Sequence, residues 1–351
     1  MQSSLSASSL SWESQPAALL AWGFLTAIMG AYALGIDRTF LIDQANYLDN
    51  FSSAATLEWV HVLFPEQSPL RGLIIGVFSE EVLWRVWATA LGLVLSPPTA
   101  VLVTVGVLNL LVVLSVARLS NPVLPLIIWI LVPVGFAVAG LLQLRQGFAF
   151  AVMLYVALRM NRPVLGTLIA AMIHTTFVLT LPFAIIAWLC GRRQFLALLL
   201  VAGLALAAAY LGGMLFEMFG GRRLHTYSVN QADSNSILYV FGGLLCSVPS
   251  LHRLLTAEPP EEPPATSRTL ANLAVMHVGV IAFTAISFFI FPFGAGRVGY
   301  LIMLLLIPIL PTMRRRDSVV GTMIFGLLLL YLVYLTVKTY LEGTYDIFFG
   351  G

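Results

Sequence analysis

The sequence predicts an all-α, polytopic integral membrane protein of about eleven transmembrane helices, and three observations predict it. Of 351 residues, 59% are hydrophobic and only 10% charged, and the mean hydropathy is +0.94. Apolar runs of about 20 residues, the length that crosses a ~30 Å hydrocarbon core as helix, recur from end to end. The short alternating segments of a membrane β-barrel are not seen. The net charge of +2 points to no class of partner, and nucleic acid is not expected as one.

The polar, Ser-rich start "MQSSLSASSLSWESQPA" lacks the basic region of a signal peptide, so the first apolar run is expected to be a retained span. Predicted spans are 18–36, 99–117, 122–142, 146–160, 163–178, 180–190, 195–214, 236–252, 270–291, 298–312 and 319–340. The run 180–190 is short and reads either as a half-helix or as a span that borrows residues from before Pro182. Cys190 and Cys246 both fall inside apolar runs and are expected to be small core residues.

Between the first two spans lies an outer loop, 37–98. Its second half, "RGLIIGVFSEEVLWRVWATALGLVLSPP", carries Glu80, Glu81 and Arg85 in mid-run. Glu81 and Arg85 would share one helical face, with Leu83, Val86, Trp87 and Ala90 largely on the other. That pattern suits an interfacial helix lying on the membrane better than a span. A simple i,i+4 pair between Glu81 and Arg85 is the favoured local reading.

With the N-terminus in the cytoplasm, the connections "ARLSN", "RMNRP", "CGRRQ", "LHRLLTAEPPEEPPATSR" and "MRRRDS" face inward. They hold ten of the 18 basic residues, as positive-inside anchors. The stretch 253–269 reads as a flexible cytoplasmic loop, and 215–235 as a second outer loop. All but one (Lys338) of the basic residues are arginine, the side chain that binds phosphate in a fork.

Several charged residues stand where charge is costly. Arg145 and Gln146 open the run "LRQGFAFAVMLYVALRM", and His174 lies near the end of the next arm. The two arms rise roughly 18–22 Å from their shared turn. Arg145 and His174 are therefore expected at similar depth, somewhat below the outer surface. An arginine beside a histidine, with Gln146 as a further donor, makes a cradle for phosphate oxygens. The alternative is that Arg145 snorkels to the headgroups and His174 bonds a backbone carbonyl. Arg297, in "FPFGAGRVGYL", stands at another outer mouth, with the same two readings. Arg222 and Arg223 lie on the Gly-hinged loop 215–235, which reads as a lid over phosphates or as a solvated loop. In the first outer loop Asp43, Tyr47 and Phe51 recur every four residues and share a helical face. A carboxylate of Glu80 or Glu81 would serve as a general base on a sugar hydroxyl. No metal-ligand motif, P-loop or nucleophile elbow occurs in the sequence.

In this order the motifs resemble one known family. The D-x3-Y-x3-F face, the acidic helix, "LRQGFAFAVMLYVAL", a basic turn, "AAMIHTTFVLTLPF" and "GRVGYLIMLLLIP" resemble the EpsG-like branch of the Wzy-type polysaccharide polymerases, over residues 35–312. One span precedes the first outer loop where two are common. The resemblance implies one GT-C-like transmembrane glycosyltransferase domain, 1–351, in the bacterial inner membrane, with its active site facing the periplasm. It would join polyprenyl (undecaprenyl) diphosphate-linked oligosaccharides by transferring the growing chain to the next lipid-linked repeat, without a metal or other cofactor. Partners would be that substrate, membrane lipid and a chain-length-regulating co-polymerase. By this likeness Glu81, Asp43 and His174 are the catalytic candidates, Glu81 or Asp43 being the first choice of base and His174 the second. Arg145, Arg297 and Gln146 would bind the diphosphate, and Tyr47 and Glu80 would touch substrate. Arg222 and Arg223 have no aligned motif and stay with the diphosphate on chemistry alone. The rival readings are an O-antigen ligase type, a transporter or flippase of lipid-linked sugars, and a non-catalytic assembly partner.

Overall fold

The computed structural model describes residues 42–53, 80–132, 134–219, 236–255, 262–290, 292–313 and 319–341, with 25, 56–57, 59–60 and 76–78 as short pieces. Every regular element among them is helical. In chain order these are α1 (Ile42–Ser53), α2 (Val82–Gly92), α3 (Pro97–Val116), α4 (Val123–Leu131) and a π-helical segment (Val134–Leu142). There follow α5 (Leu144–Met160), α6 (Pro163–Ile173), a 3-10 turn (Thr175–Val178), α7 (Thr180–Cys190) and α8 (Gln194–Phe219). The chain continues through α9 (Ser236–Leu255), α10 (Pro264–Ile290), α11 (Pro292–Ile309), a 3-10 turn (Leu310–Met313) and α12 (Val319–Leu341).

The molecule is a helical membrane protein. Among the described residues α3, α8, α10 and α12 each carry an apolar stretch long enough to cross a bilayer, and the bent pair of α4 and the π-helical segment raises the number to five. The predicted first span, 18–36, lies outside the described residues except Leu25. The other ten predicted runs all coincide with helices, but several are too short to cross alone. α6 and α7 have 11 residues each, a rise of about 16 Å against a ~30 Å core.

The reason lies in two breaks. The predicted span 122–142 bends by 75° between α4 and the π-helical segment. Asn109 of α3 stabilises the bend: its amide donates to Val105 O (2.9 Å) and Gly140 O (3.3 Å), and its carbonyl accepts from Trp129 Nε1 (3.3 Å). Irregular backbone at membrane depth needs such internal partners. The predicted span 163–178 stops at Ile173, because His174 turns to an extended conformation.

α10 is the hub, packing against α7, α8, α9 and α11. At its centre His277 Nδ1 and Ser250 Oγ of α9, both fully buried, share a 2.7 Å hydrogen bond, polar glue between apolar helices. α8 and α12 lie at the periphery, where Leu199, Tyr210, Leu327 and Leu330 are exposed. In water such surfaces would aggregate; here they face lipid. Cys190 and Cys246 are both free thiols.

The hairpin of α5 and α6 turns through Asn161, which is left-handed (φ 54°), and Pro163 pre-sets the start of α6. The arms approach closely at Gly166, where a Cβ would stand 2.7 Å from Met153 O. The stretch 253–269 is shorter as a loop than predicted: α9 continues to Leu255, α10 begins at Pro264, and Glu262 is fixed by hydrogen bonds from the Ser120 N–H and hydroxyl (2.9 and 2.6 Å). α8 likewise runs on to Phe219, into the predicted outer loop 215–235, whose other residues lie outside the described ones.

Candidate active site

Three segments far apart in sequence meet at one carboxylate, and a fourth joins through Arg145. Glu81 precedes α2 in a left-handed conformation, φ 53° and ψ 52°, which costs an ordinary residue about 1–2 kcal/mol. That backbone turns its side chain away from the α2 face and into the protein. Glu81 Oε2 accepts from Arg145 Nη1 at 2.8 Å. Oε1 lies 3.0 Å from His174 Nδ1 and accepts from the Thr175 N–H at 3.2 Å.

Local sequence explains each position. Arg145 stands in the first turn of α5, where a cation opposes the helix dipole; Glu81 offsets that. α5 seats its first turn against the preceding π-helical segment at Gly147, where a Cβ would collide with the Ala139 carbonyl. His174 occupies the break after α6, with φ −146° and ψ 123°. The break frees the Thr175 N–H from helix bonding and aims it at Glu81. Tyr47 of α1 is buried, edge-on to Trp84 of α2 with ring centres 5.8 Å apart, and its hydroxyl is hydrogen-bonded to Arg145. Trp84 and Trp87 pack on Phe148 of α5, so an aromatic wedge docks α2 beside the ion pair.

Exposure separates the members. The Glu81 side chain is 9% exposed and that of Arg145 is 42%; His174 is at 16%. The carboxylate is the floor of the site and the guanidinium its open edge. Burial alone would raise the Glu81 carboxyl. The hydrogen bond and charge of His174, the charge of Arg145 and the Thr175 N–H outweigh it and hold the carboxyl down at about 2. Glu81 is thus an anion with both oxygens engaged. His174 Nδ1 also stands 3.5 Å from the Thr176 N–H, but the shorter contact is to a carboxylate, which a bare ring nitrogen would repel. In a neutral ring, a proton on Nδ1 would face Glu81 and leave the lone pair on Nε2.

The remaining sequence candidates divide. Glu80, next to Glu81, belongs to a separate pair: its carboxylate accepts from Arg85 at 2.7 Å and its carbonyl from Arg85 Nε at 2.9 Å. The favoured Glu81–Arg85 pair is thus replaced by Glu80–Arg85, because the left-handed turn sends the two glutamates different ways. Gln146 is buried, and its amide nitrogen has no partner among the described residues. Asp43 lies on α1 one turn before Tyr47, and Arg297 in the first half of α11; their side chains are outside the described residues, as are Arg222 and Arg223 entirely. Thr175 was not foreseen. A polar pair, Thr175-Thr176, directly after a histidine in an apolar run was the available signal of a broken helix.

The chain belongs to the EpsG family: the family model matches residues 22–348. Among curated proteins and among solved structures, none matches it.

Proposed function

We propose that this protein is a polysaccharide polymerase of the inner membrane, a metal-independent glycosyltransferase of GT-C type with its site facing the periplasm. It takes the growing chain from its polyprenyl diphosphate and adds it to the next lipid-linked repeat. The observation that carries this reading is the sharing of one buried carboxylate, Glu81, between Arg145 and His174, in a chain of the EpsG family.

The roles follow from exposure and charge. Arg145 has donors left after its bond to Glu81, and it lies at the open edge. It receives the diphosphate, whose charge grows as the glycosidic C–O bond breaks; fixed donors in a water-poor site stabilise such growth most. Arg297, Gln146, Arg222 and Arg223 are further candidates for diphosphate oxygens. His174 Nε2 takes the proton from the acceptor hydroxyl as that oxygen attacks the anomeric carbon. The bonding pair leaves with the polyprenyl diphosphate. Glu81, ionised and engaged on both oxygens, orients the imidazole and stabilises it once protonated, as a carboxylate does behind a catalytic histidine. Asp43 stays a candidate base, and Tyr47 and Glu80 stay candidates for contact with the sugar. Direct displacement gives inversion at the anomeric carbon.

The test is reconstitution of purified protein with lipid-linked repeats, wild type beside Arg145→Ala, read as a ladder on a gel. A ladder from the wild type alone supports the polymerase. Movement of repeats across the bilayer without a ladder would make the chain a transporter instead.

A further inference from the structure

We propose that Thr175 is a positioning residue of this site: its main-chain N–H fixes the Glu81 carboxylate so that one oxygen serves His174 and the other Arg145. The inference rests on the polymerase reading above.

Glu81 Oε1 carries more than its ion pair with His174. It accepts from the Thr175 N–H at 3.2 Å and lies 3.4 Å from the Thr175 hydroxyl. Held by Arg145 and His174 alone, the carboxylate would follow two long side chains, and its terminal torsion is intrinsically broad. A main-chain donor has no such freedom. The break in the helix makes that donor available. The His174 N–H still bonds Ala170 O at 2.8 Å, closing α6. Thr175 then opens a new 3-10 turn, and the first donors of any helical turn have no partner within it. Two irregular backbones thus meet, the left-handed Glu81 and the extended His174 with its successor. Together they bring the carboxylate and its third donor into register. Among the described residues, the charged and titratable groups around Glu81 are Arg145 on α5, His174 at the α6 break, Tyr47 on α1 through Arg145, and the Glu80–Arg85 pair, which closes on itself.

The geometry also supplies a selective test. Thr175→Pro removes the N–H while suiting the local backbone. A residue before proline prefers an extended conformation, which His174 already has, and proline fits the first position of a helical turn. In the reconstituted full-length protein supplied with a polyprenyl-diphosphate oligosaccharide, Thr175→Pro should lower kcat roughly tenfold to a hundredfold, the range for a hydrogen bond to a charged group, with KM little changed. Thr175→Ser should retain wild-type behaviour. An amide-to-ester substitution at residue 175 removes the same donor with the side chain kept. Wild-type kcat in that ester protein would overturn the proposal, whether or not the proline variant folds, and would leave the polymerase reading standing. A wild-type protein that forms no ladder overturns the polymerase reading and this inference together.

Discussion

His174 Nδ1 stands 3.0 Å from Glu81 Oε1, at the point where α6 breaks and ahead of the first residue of α2. The carboxylate fixes the ring, and the ring's other nitrogen is left for chemistry. His174→Gln should therefore lower kcat about 10²- to 10⁴-fold, the usual contribution of a positioned base. KM should change little. Release of polyprenyl diphosphate, followed in steady state, measures both.

Arg145 is the open edge of the site. Arg145→Ala should cost roughly 10²- to 10³-fold in chain extension, as for loss of one donor to a developing anion. Arg145→Lys should recover little, since an ammonium cannot hold Glu81 and a phosphate oxygen in one plane. Because the side chain is 42% exposed and His174 and Thr175 still hold Glu81, both variants should fold, Arg145→Ala with a lowered melting temperature. Equal protein with wild-type ladders would remove Arg145 from the mechanism.

Glu81 links the site to acid stability. Its carboxyl ordinarily titrates near 4.5 and is held at about 2 in the folded protein. A depressed carboxyl stabilises the fold fully above its ordinary value, and that stabilisation is lost as pH falls toward the folded one. The melting temperature of the wild type in detergent should drop between pH 4.5 and pH 2. Glu81→Gln should start lower at neutral pH and show a flatter acid decline. Parallel curves for the two proteins would contradict the ion pairing.

Gly147 sets the seat of Arg145. A Cβ there would meet the Ala139 carbonyl, which is backbone and cannot swing aside. Gly147→Ala should displace the start of α5 and destabilise the protein by several kcal/mol, of order 1–3 for overpacking and more where backbone must move. Gly203, whose Cβ would meet nothing within 4 Å, is the control: Gly203→Ala should leave the melting temperature unchanged or slightly raised.

The sequence by itself determined the helical membrane class, the position of ten of eleven apolar runs and the family resemblance. Hydrophobic run length is a local property that one stretch of chain carries alone. The approach of Arg145 and His174 to one another was also legible, because a tight hairpin with arms of similar length leaves little choice, and both now touch Glu81. Three matters were decided only by the tertiary structure. One was which of two adjacent glutamates enters the site: Glu80 and Glu81 are alike in sequence, and a left-handed turn at Glu81 separates them. Another was that the runs at 122–142 and 163–178 break. The apolar pattern runs on across the first break and is interrupted at the second only by His174-Thr175-Thr176, while the groups that stabilise them, Asn109 and Glu81, come from elsewhere in the chain. The last was the part of Thr175, whose N–H has no signature in sequence. Its use depends on where a distant carboxylate is held, and only the packing of α2 against α6 brings the two together.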